Sequence, residues 1–434
     1  DAVAVVADNP WRAEQAAKAV KMECEPPVDG VLDTEVFQKK QIETIHHGEM
    51  SVLLAKGEAL KEANVEAEYF APYLAHTPME PLNATLWKEG DVVHIATGVQ
   101  DPLAARRFIA DQLDIPMEKV ELHAHTMGGG FGRRSALAGV DLNWLRHVAQ
   151  IFQSVGGAIK LIWSREADIR LSTFRPSDRA LMKGTLGEDG TISHWQSRMY
   201  APVLQPKEAT PLYNIPNITI ESAQGEPMLP FSYWRSVDAS TQCFFTECFV
   251  DELAKQAGKD PIEFRLSMLR TSSRHTRVLK HIEEMSNWKE HDSTKTALGI
   301  ALTESFGSIV SQVAEVSVDN DVVRVHRVWC VIDCGIAINP ASVEAQMESG
   351  IHYGLSAALY GQITVKDGEI RQSNFHNYQA VRFADAPRID VDILTSPDAP
   401  IGGVGEPGTP PIAPAVANAI AKLTQRPREL PIQS

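Results

Sequence analysis

Cysteine is scarce in this sequence: Cys24, Cys243, Cys248, Cys330 and Cys334 are the only five in 434 residues. They are too few and too scattered for a disulfide framework in a chain of this length, and are expected as buried thiols. No CxxC occurs and no histidine stands at zinc-finger spacing from a cysteine, which argues against a thiolate-held metal or an iron–sulfur cluster in this chain. Long apolar runs are missing as well, with no stretch of about eighteen apolar residues that could cross a bilayer. A basic-then-apolar leader is also absent from the sequence as it stands. Positive charge is in deficit, 41 Lys and Arg against 56 Asp and Glu for a net charge of −15, which disfavours phosphate backbones and so a nucleic-acid partner. Neither a GxGxxG with an acidic residue on a following strand nor a GxxxxGK followed by Ser or Thr is present, so neither dinucleotide nor P-loop fold is indicated.

The remaining composition, 44% hydrophobic and 22% charged, is that of a folded globular chain. Its length exceeds one ordinary hydrophobic core, so at least two domains are expected. Asp1 to Ala7, DAVAVVA, reads as a strand already under way without an initiator Met, as in a chain cut from something longer. Pro behind a capping residue marks four helix starts, at Asn9-Pro10, Asp101-Pro102, Asp260-Pro261 and Asn339-Pro340. Those helices are expected to run to about Val20, Leu113, Leu269 and Tyr360, and a longer one from Ala239 to Gly258. Hairpin turns are marked at Glu188–Gly190, Asp319–Asp321 and Lys366–Gly368, each between alternating apolar residues. The pattern predicts an α+β fold of mixed sheets with hairpins and crossing helices in two linked domains. The polar stretch Lys289–Thr296, KEHDSTKT, puts the break between Asn287 and Ala297, dividing the chain into 1–290 and 291–434.

Glycine concentrates in two loops. Lys119–Thr126, KVELHAHT, reads as a strand running straight into Met127–Arg134, MGGGFGRR. Its consecutive glycines open backbone conformations closed to other residues and let bare N–H groups approach a ligand. Arg133 and Arg134 add donors suited to a phosphate or carboxylate. A lone GGG is by default an ordinary turn. In the second loop, Gly402–Pro411, Glu406 is the one acidic residue among four glycines and three prolines, just ahead of a helix expected from about Pro411. Stiff backbone and little side-chain bulk leave room for a substrate or cofactor atom, and the helix dipole favours the ionised carboxylate, as a general base requires. A capping or surface glutamate is the competing reading of this segment.

Five ordered motifs, MGGGFGRR, YWRSVDAS (Tyr233–Ser240), DCGIAINPASVEAQMESG (Asp333–Gly350), QSNFHNY (Gln372–Tyr378) and GGVGEPGTPPIAPAVANAI (Gly402–Ile420), span most of the chain. Together they resemble the molybdopterin-binding large subunit of the xanthine oxidase family, in particular the isoquinoline 1-oxidoreductase beta-subunit and aldehyde dehydrogenase branch. The resemblance implies the molybdenum-hydroxylase large-subunit architecture. It also implies molybdenum held by a pterin dithiolene, as molybdopterin cytosine dinucleotide, without a protein ligand. By the same resemblance Gly128, Gly129, Gly130, Phe131, Gly132, Arg133, Arg134, Gln346, Gly350 and Gly405 lie against the cofactor, Arg235 and Trp234 on the substrate side, and Glu406 is the catalytic base. The implied reaction hydroxylates an aldehyde or N-heterocyclic carbon with water as oxygen source.

The implied partners are a small subunit with 2Fe–2S clusters and a cytochrome c subunit; the family's EMGQG-type loop has no match in this sequence, and is either on a separate chain, in a removed portion, or absent. The implied compartment is the bacterial periplasm, with membrane association through a partner. Arg133-Arg134 and WRSV stand where the xanthine oxidases proper carry a lysine and FRGFG, so aromatic sandwiching of a purine is not implied, and Asp238 is more acidic than the branch pattern. The competing functional reading is a non-catalytic dinucleotide-binding or scaffold module with an incomplete pocket. His46, His47, His123 and His125, with no acidic or Cys partner at ligand spacing, read as satisfied or exposed histidines rather than metal ligands. Pro78 and Pro81 keep His76 and Glu80 off a common helix face, and Glu80 is expected to be hydrogen-bonded in a structural role. Trp144, Trp163 and Trp195 are expected in the core.

Overall fold

The computed structural model describes residues 3–23, 32–135, 142–223, 225–269 and 273–433. All four proline-marked helices are present, as Pro10–Ala19, Pro102–Leu113, Pro261–Ser267 and Pro340–Leu359. In each, the residue before proline accepts backbone N–H groups of the first turn: Asn9 from Arg12, Asp101 from Ala104, Asp260 from Ile262 and Glu263, Asn339 from Ser342. The cap satisfies donors that the helix cannot, and proline removes one more. The three hairpin turns also form where expected. Asn320 and Asp321, both at positive φ, close one of them, as the right-handed twist of paired strands demands. The strand expected at the start does not form over Val3–Ala7, which is exposed and pairs with no other strand among the described residues. Asp1, Ala2 and Cys24 lie outside the described residues.

Three main sheets carry the fold. The first runs in the order Ser51–Lys56, Asn217–Ser222, Ile192–Tyr200, Asp178–Leu186, Val65–Ala71. A second, of Ala297–Ser305, Ser308–Asp319, Val322–Asp333 and Arg388–Leu394, is antiparallel except for its last pair. The smallest sets Val120–Ala124 beside Val92–Thr97, Asn83–Glu89 and Ile159–Ile162. Parallel and antiparallel pairs coexist, as expected of an α+β chain.

Two helices join the first two sheets. Ala239–Gln256 is buried along nearly its whole length, its Phe244, Phe245, Phe249 and Leu253 packing with Met182 and Trp195 of the first sheet. Each such side chain contributes about 1.5–3 kcal/mol. Ile412–Leu423 lies so close on the second sheet that a Cβ at Gly299 would fall 2.1 Å from the Ala415 carbonyl. Glu247 fastens the junction: it accepts from Arg265 at 2.9 Å, Tyr213 at 2.7 Å and the Leu302 N–H at 2.9 Å, all buried. Trp144, Trp163 and Trp195 are core residues, and the four described thiols are buried and free.

Candidate functional site

The strand Val120–Ala124 delivers the chain to the first glycine-rich loop. Gly129, Phe131 and Gly132 all take positive φ there, at 102°, 54° and 98°. Gly132 leaves no room for a side chain, since a Cβ would sit 2.0 Å from the Tyr233 carbonyl. Two side chains from outside the loop hold its shape. Gln100 accepts the Gly132 N–H at 3.0 Å, and Glu80 accepts the Gly128 N–H at 3.0 Å. Burial alone would raise the Glu80 carboxyl, but the Gly128 N–H, the Asn83 amide and the Arg134 charge together hold it below its ordinary value. That is the structural role expected of Glu80. The N–H groups of Gly129, Gly130 and Phe131 have no hydrogen-bond partner among the described residues. Successive backbone donors left bare in a loop that mixes positive and negative φ can present a concave surface to an anion.

Arg133 and Arg134 correct the sequence expectation. Both are fully buried and point into the protein. Arg133 donates to Ser172 at 2.6 Å and Asn143 at 2.5 Å and lies over the Trp144 ring. Arg134 donates to the carbonyls of Gly98 and Glu80 and pairs with the Glu80 carboxylate at 3.0 Å. Most of their donors stitch the loop to its surroundings, which leaves the backbone N–H groups as the donors turned outward.

Arg235 and Trp234 sit on the turn before helix Ala239–Gln256, where Ser236 and Val237 are held at φ 79° and 51°. A β-branched residue rarely tolerates that region, so the turn is strained and its neighbours must hold it. Arg235 is the main clamp. It donates to the Gly405 carbonyl at 2.8 Å, to Ser349 at 2.9 Å and to Gln346 Oε1 at 3.0 Å. Ser236 donates to the Glu406 carbonyl at 2.7 Å. Phe131, Tyr353 and Trp234 stack in a column with centroid spacings of 4.4 and 4.6 Å, with the guanidinium groups of Arg235 and Arg175 at its two ends. The column ties the first glycine-rich loop, the 233–238 turn and helix Pro340–Leu359 into one block. Trp234 and Arg235 are both buried within that block.

The second loop is pinned from below. Gln312 donates to the Gly408 carbonyl, Ser308 to the Gly403 carbonyl, and the Gly403 N–H bonds the Phe306 carbonyl, each at 2.7 Å. Helix Pro340–Leu359 presses against the loop at Gly350, where a Cβ would meet Gly408 at 2.9 Å. Gly350 thus lets the helix pack directly on the second loop. Gln346 is exposed on the same helix with its carbonyl end bonded to Arg235. Gly405 has open space where a side chain would be.

Glu406 is half-buried, and its Oε2 is buried without a hydrogen-bond partner among the described residues. Burial raises its carboxyl above the ordinary value, opposed in part by the Arg235 charge. The helix begins at Ile412 with Pro411 as its N-cap, as expected, but burial and not the helix dipole dominates at Glu406, so its carboxyl is raised where ionisation was expected to be favoured. A carboxylate whose free oxygen is desolvated is a stronger base than one in water.

Gln100, Ser236, Tyr353 and Gln312 carry much of this geometry and were not singled out in the sequence. Gln100 lies within a strand-to-helix junction, GVQDP, the one local signal that could have drawn notice. Gln312 and Tyr353 on regular elements, and Ser236 on its turn, carry none.

A model of a molybdopterin cofactor-binding domain matches residues 34–269, and a second molybdopterin cofactor-binding domain model matches residues 249–387. The isoquinoline 1-oxidoreductase subunit beta of Brevundimonas diminuta is 30% identical over 92% of this chain and 53% of its own length. The membrane-bound aldehyde dehydrogenase (pyrroloquinoline-quinone) of Gluconacetobacter polyoxogenes is 26% identical over 99% of this chain and 62% of its own length. This chain thus spans about half to three-fifths of those two relatives. Among solved structures, quinoline 2-oxidoreductase from Pseudomonas putida 86 superposes with a TM-score of 0.82 at 16% identity, covering 98% of this chain and 83% of that one. Aldehyde oxidoreductase from Desulfovibrio gigas gives 0.82 at 16%, covering 98% and 67%. At such identities the likeness establishes the shared molybdenum-hydroxylase large-subunit fold.

Proposed function

The chain belongs to the molybdopterin-binding subunits of the xanthine oxidase family, and from that premise we propose that it is the part of a molybdenum hydroxylase that holds the cofactor and supplies the catalytic base. The observation that carries the reading is the Glu406 carboxylate, desolvated and lacking a partner for Oε2, on a loop clamped to the 233–238 turn. The residues fit the group. Bare N–H donors at Gly129, Gly130 and Phe131 suit the anionic part of a pterin dinucleotide, and Gly405 leaves open space beside the base.

When bound, the molybdenum group supplies the electron sink and activates water-derived oxygen. Glu406 would accept a proton at its unpartnered Oε2, the role of a general base beside that group. Arg235 holds the Gly405 carbonyl, which fixes the direction of the next side chain, and its charge limits how far burial raises the Glu406 carboxyl. Arg235 and Trp234 thus act on the substrate side by positioning, from within the aromatic column.

The substrate is an aldehyde or N-heterocyclic carbon, the chemistry named for the two curated relatives. The cofactor is the cytosine dinucleotide form. Electrons leave through a 2Fe–2S small subunit and a cytochrome c subunit, with the EMGQG-type loop supplied by further sequence. The compartment is the periplasm, with attachment through a partner; one relative is named as membrane-bound. Metal analysis of the purified complex should find about one molybdenum per chain, together with oxidation of an aldehyde or N-heterocycle in the presence of an artificial acceptor. A stable complex devoid of molybdenum would favour a scaffold module instead.

A further inference from the structure

The smallest sheet carries a second chemical cluster on its solvent face. Its register sets Trp87 opposite His94 and His94 opposite Glu121. His123 follows Glu121 by two residues, so all four side chains leave the same face. His94 Nδ1 lies 3.2 Å from His123 Nε2. The two oxygens of Glu121 lie 3.6 Å from His94 Nδ1 and 3.8 Å from His123 Nε2. His123 thus has the acidic neighbour that the sequence reading denied it, two residues back, and a second imidazole from the adjacent strand.

A hydrogen bond between the imidazoles would use one N–H and leave the carboxylate without a part, since its oxygens stand beyond the roughly 3.2 Å reach of a good hydrogen bond. The separations of 3.2, 3.6 and 3.8 Å come close to another arrangement, in which the carboxylate turns to offer one of its two oxygens alongside both imidazoles. Bonds of about 2.0–2.2 Å at tetrahedral angles set the donor atoms of one cation about 3.3–3.6 Å apart. The rings are also held in place beforehand: Trp87 stacks on His94 and His123 at 5.2 and 5.4 Å, and its own N–H is fixed by Glu89 at 2.9 Å. Pre-set ligands lower the ordering cost of binding.

We propose that His94, Glu121 and His123 form a binding site for a divalent transition cation of the zinc class, with a fourth position open to water or to a group from another chain. Two imidazoles and a carboxylate suit such an ion and suit magnesium or calcium poorly. The cation would bridge Val92–Thr97 to the edge strand Val120–Ala124, three residues before Met127. It would therefore steady the approach to the first glycine-rich loop while remaining outside the Glu406 block.

The test uses the whole chain stripped with a chelator. Calorimetric titration with Zn(II) should give one equivalent bound per chain, and Co(II) the intense visible bands of a four-coordinate site. A hundredfold excess over the dissociation constant should raise the melting temperature by roughly 3 °C. Mg(II) should do none of this. Glu121→Gln and His123→Asn alter exposed or half-exposed side chains, so both variants should keep the apo melting transition while each weakens Zn(II) binding at least tenfold. Absence of a one-equivalent site in the parent chain, or loss of less than tenfold in either variant, overturns the proposal.

Discussion

The two glycine-rich loops look alike in sequence and need glycine for different reasons. In Met127–Arg134 the backbone itself demands it: Gly129 and Gly132 sit at φ 102° and 98°, and the Tyr233 carbonyl fills the space beside Gly132. In Gly402–Pro411 none of the four glycines has a positive φ. Gly402 and Gly408 are there because Ser308 and Met347 crowd them, and Gly405 because the space beside it stays open. The first loop is a shaped backbone presenting N–H groups. The second is a stiff arm whose purpose is the one side chain it carries. A glycine count alone cannot separate a conformational requirement from a spatial one.

That contrast can be sharpened by substitution. Glu406→Gln should cost the most, about a hundredfold to ten-thousandfold in kcat with molybdenum content unchanged, since it removes the base while keeping the shape. Near-normal turnover by a fully loaded variant would break the division of labour between the loops. Gly132→Ala should come next, destabilising by roughly 2–4 kcal/mol through backbone strain and overpacking, read as a lowered denaturant midpoint and poor cofactor loading.

Arg134→Met should destabilise by about 1–3 kcal/mol by leaving the Gly98 and Glu80 carbonyls and the Glu80 carboxylate short of a donor. Molecules that still load cofactor should keep their kcat; a selective loss of cofactor affinity at unchanged stability would restore the anion-binding role. Arg235→Met should lower kcat and move the acid limb of its pH profile upward. The sign follows from Glu406: burial already raises its carboxyl, Arg235 opposes that rise, and a base works only when ionised, so losing the positive charge pushes the limb to higher pH. Gly405→Ala should leave stability within about 0.5 kcal/mol of the parent, read as an unchanged denaturant midpoint, because neither φ nor a protein neighbour forbids the methyl, while its methyl enters the space beside the base and lowers cofactor loading.

Local signals were legible wherever a feature depends on residues next to each other. The four capped prolines start helices because cap and first turn lie within four residues, and the three hairpin turns close for the same reason. Glu406 could be found as the lone acid on a glycine–proline arm. The arginines after GGGFG could not be read correctly, because whether a guanidinium faces a ligand or the interior is decided by Ser172, Asn143 and Glu80, which come from other parts of the chain. The N-terminal apolar run failed as a strand for a related reason: a strand needs a partner, and Val3–Ala7 finds none among the described residues.

By itself the sequence determined the family and the two loops and singled out Glu406 as the candidate base, since motif order and short-range backbone chemistry are written in consecutive residues. Only the tertiary structure decided the basicity of Glu406, which depends on how much water its neighbours exclude and on Arg235, 171 positions earlier in the chain. It also decided that Arg133 and Arg134 brace the loop and that His94 meets Glu121 and His123. Desolvation and ligand geometry are properties of groups brought together from distant segments, and no window of sequence contains them.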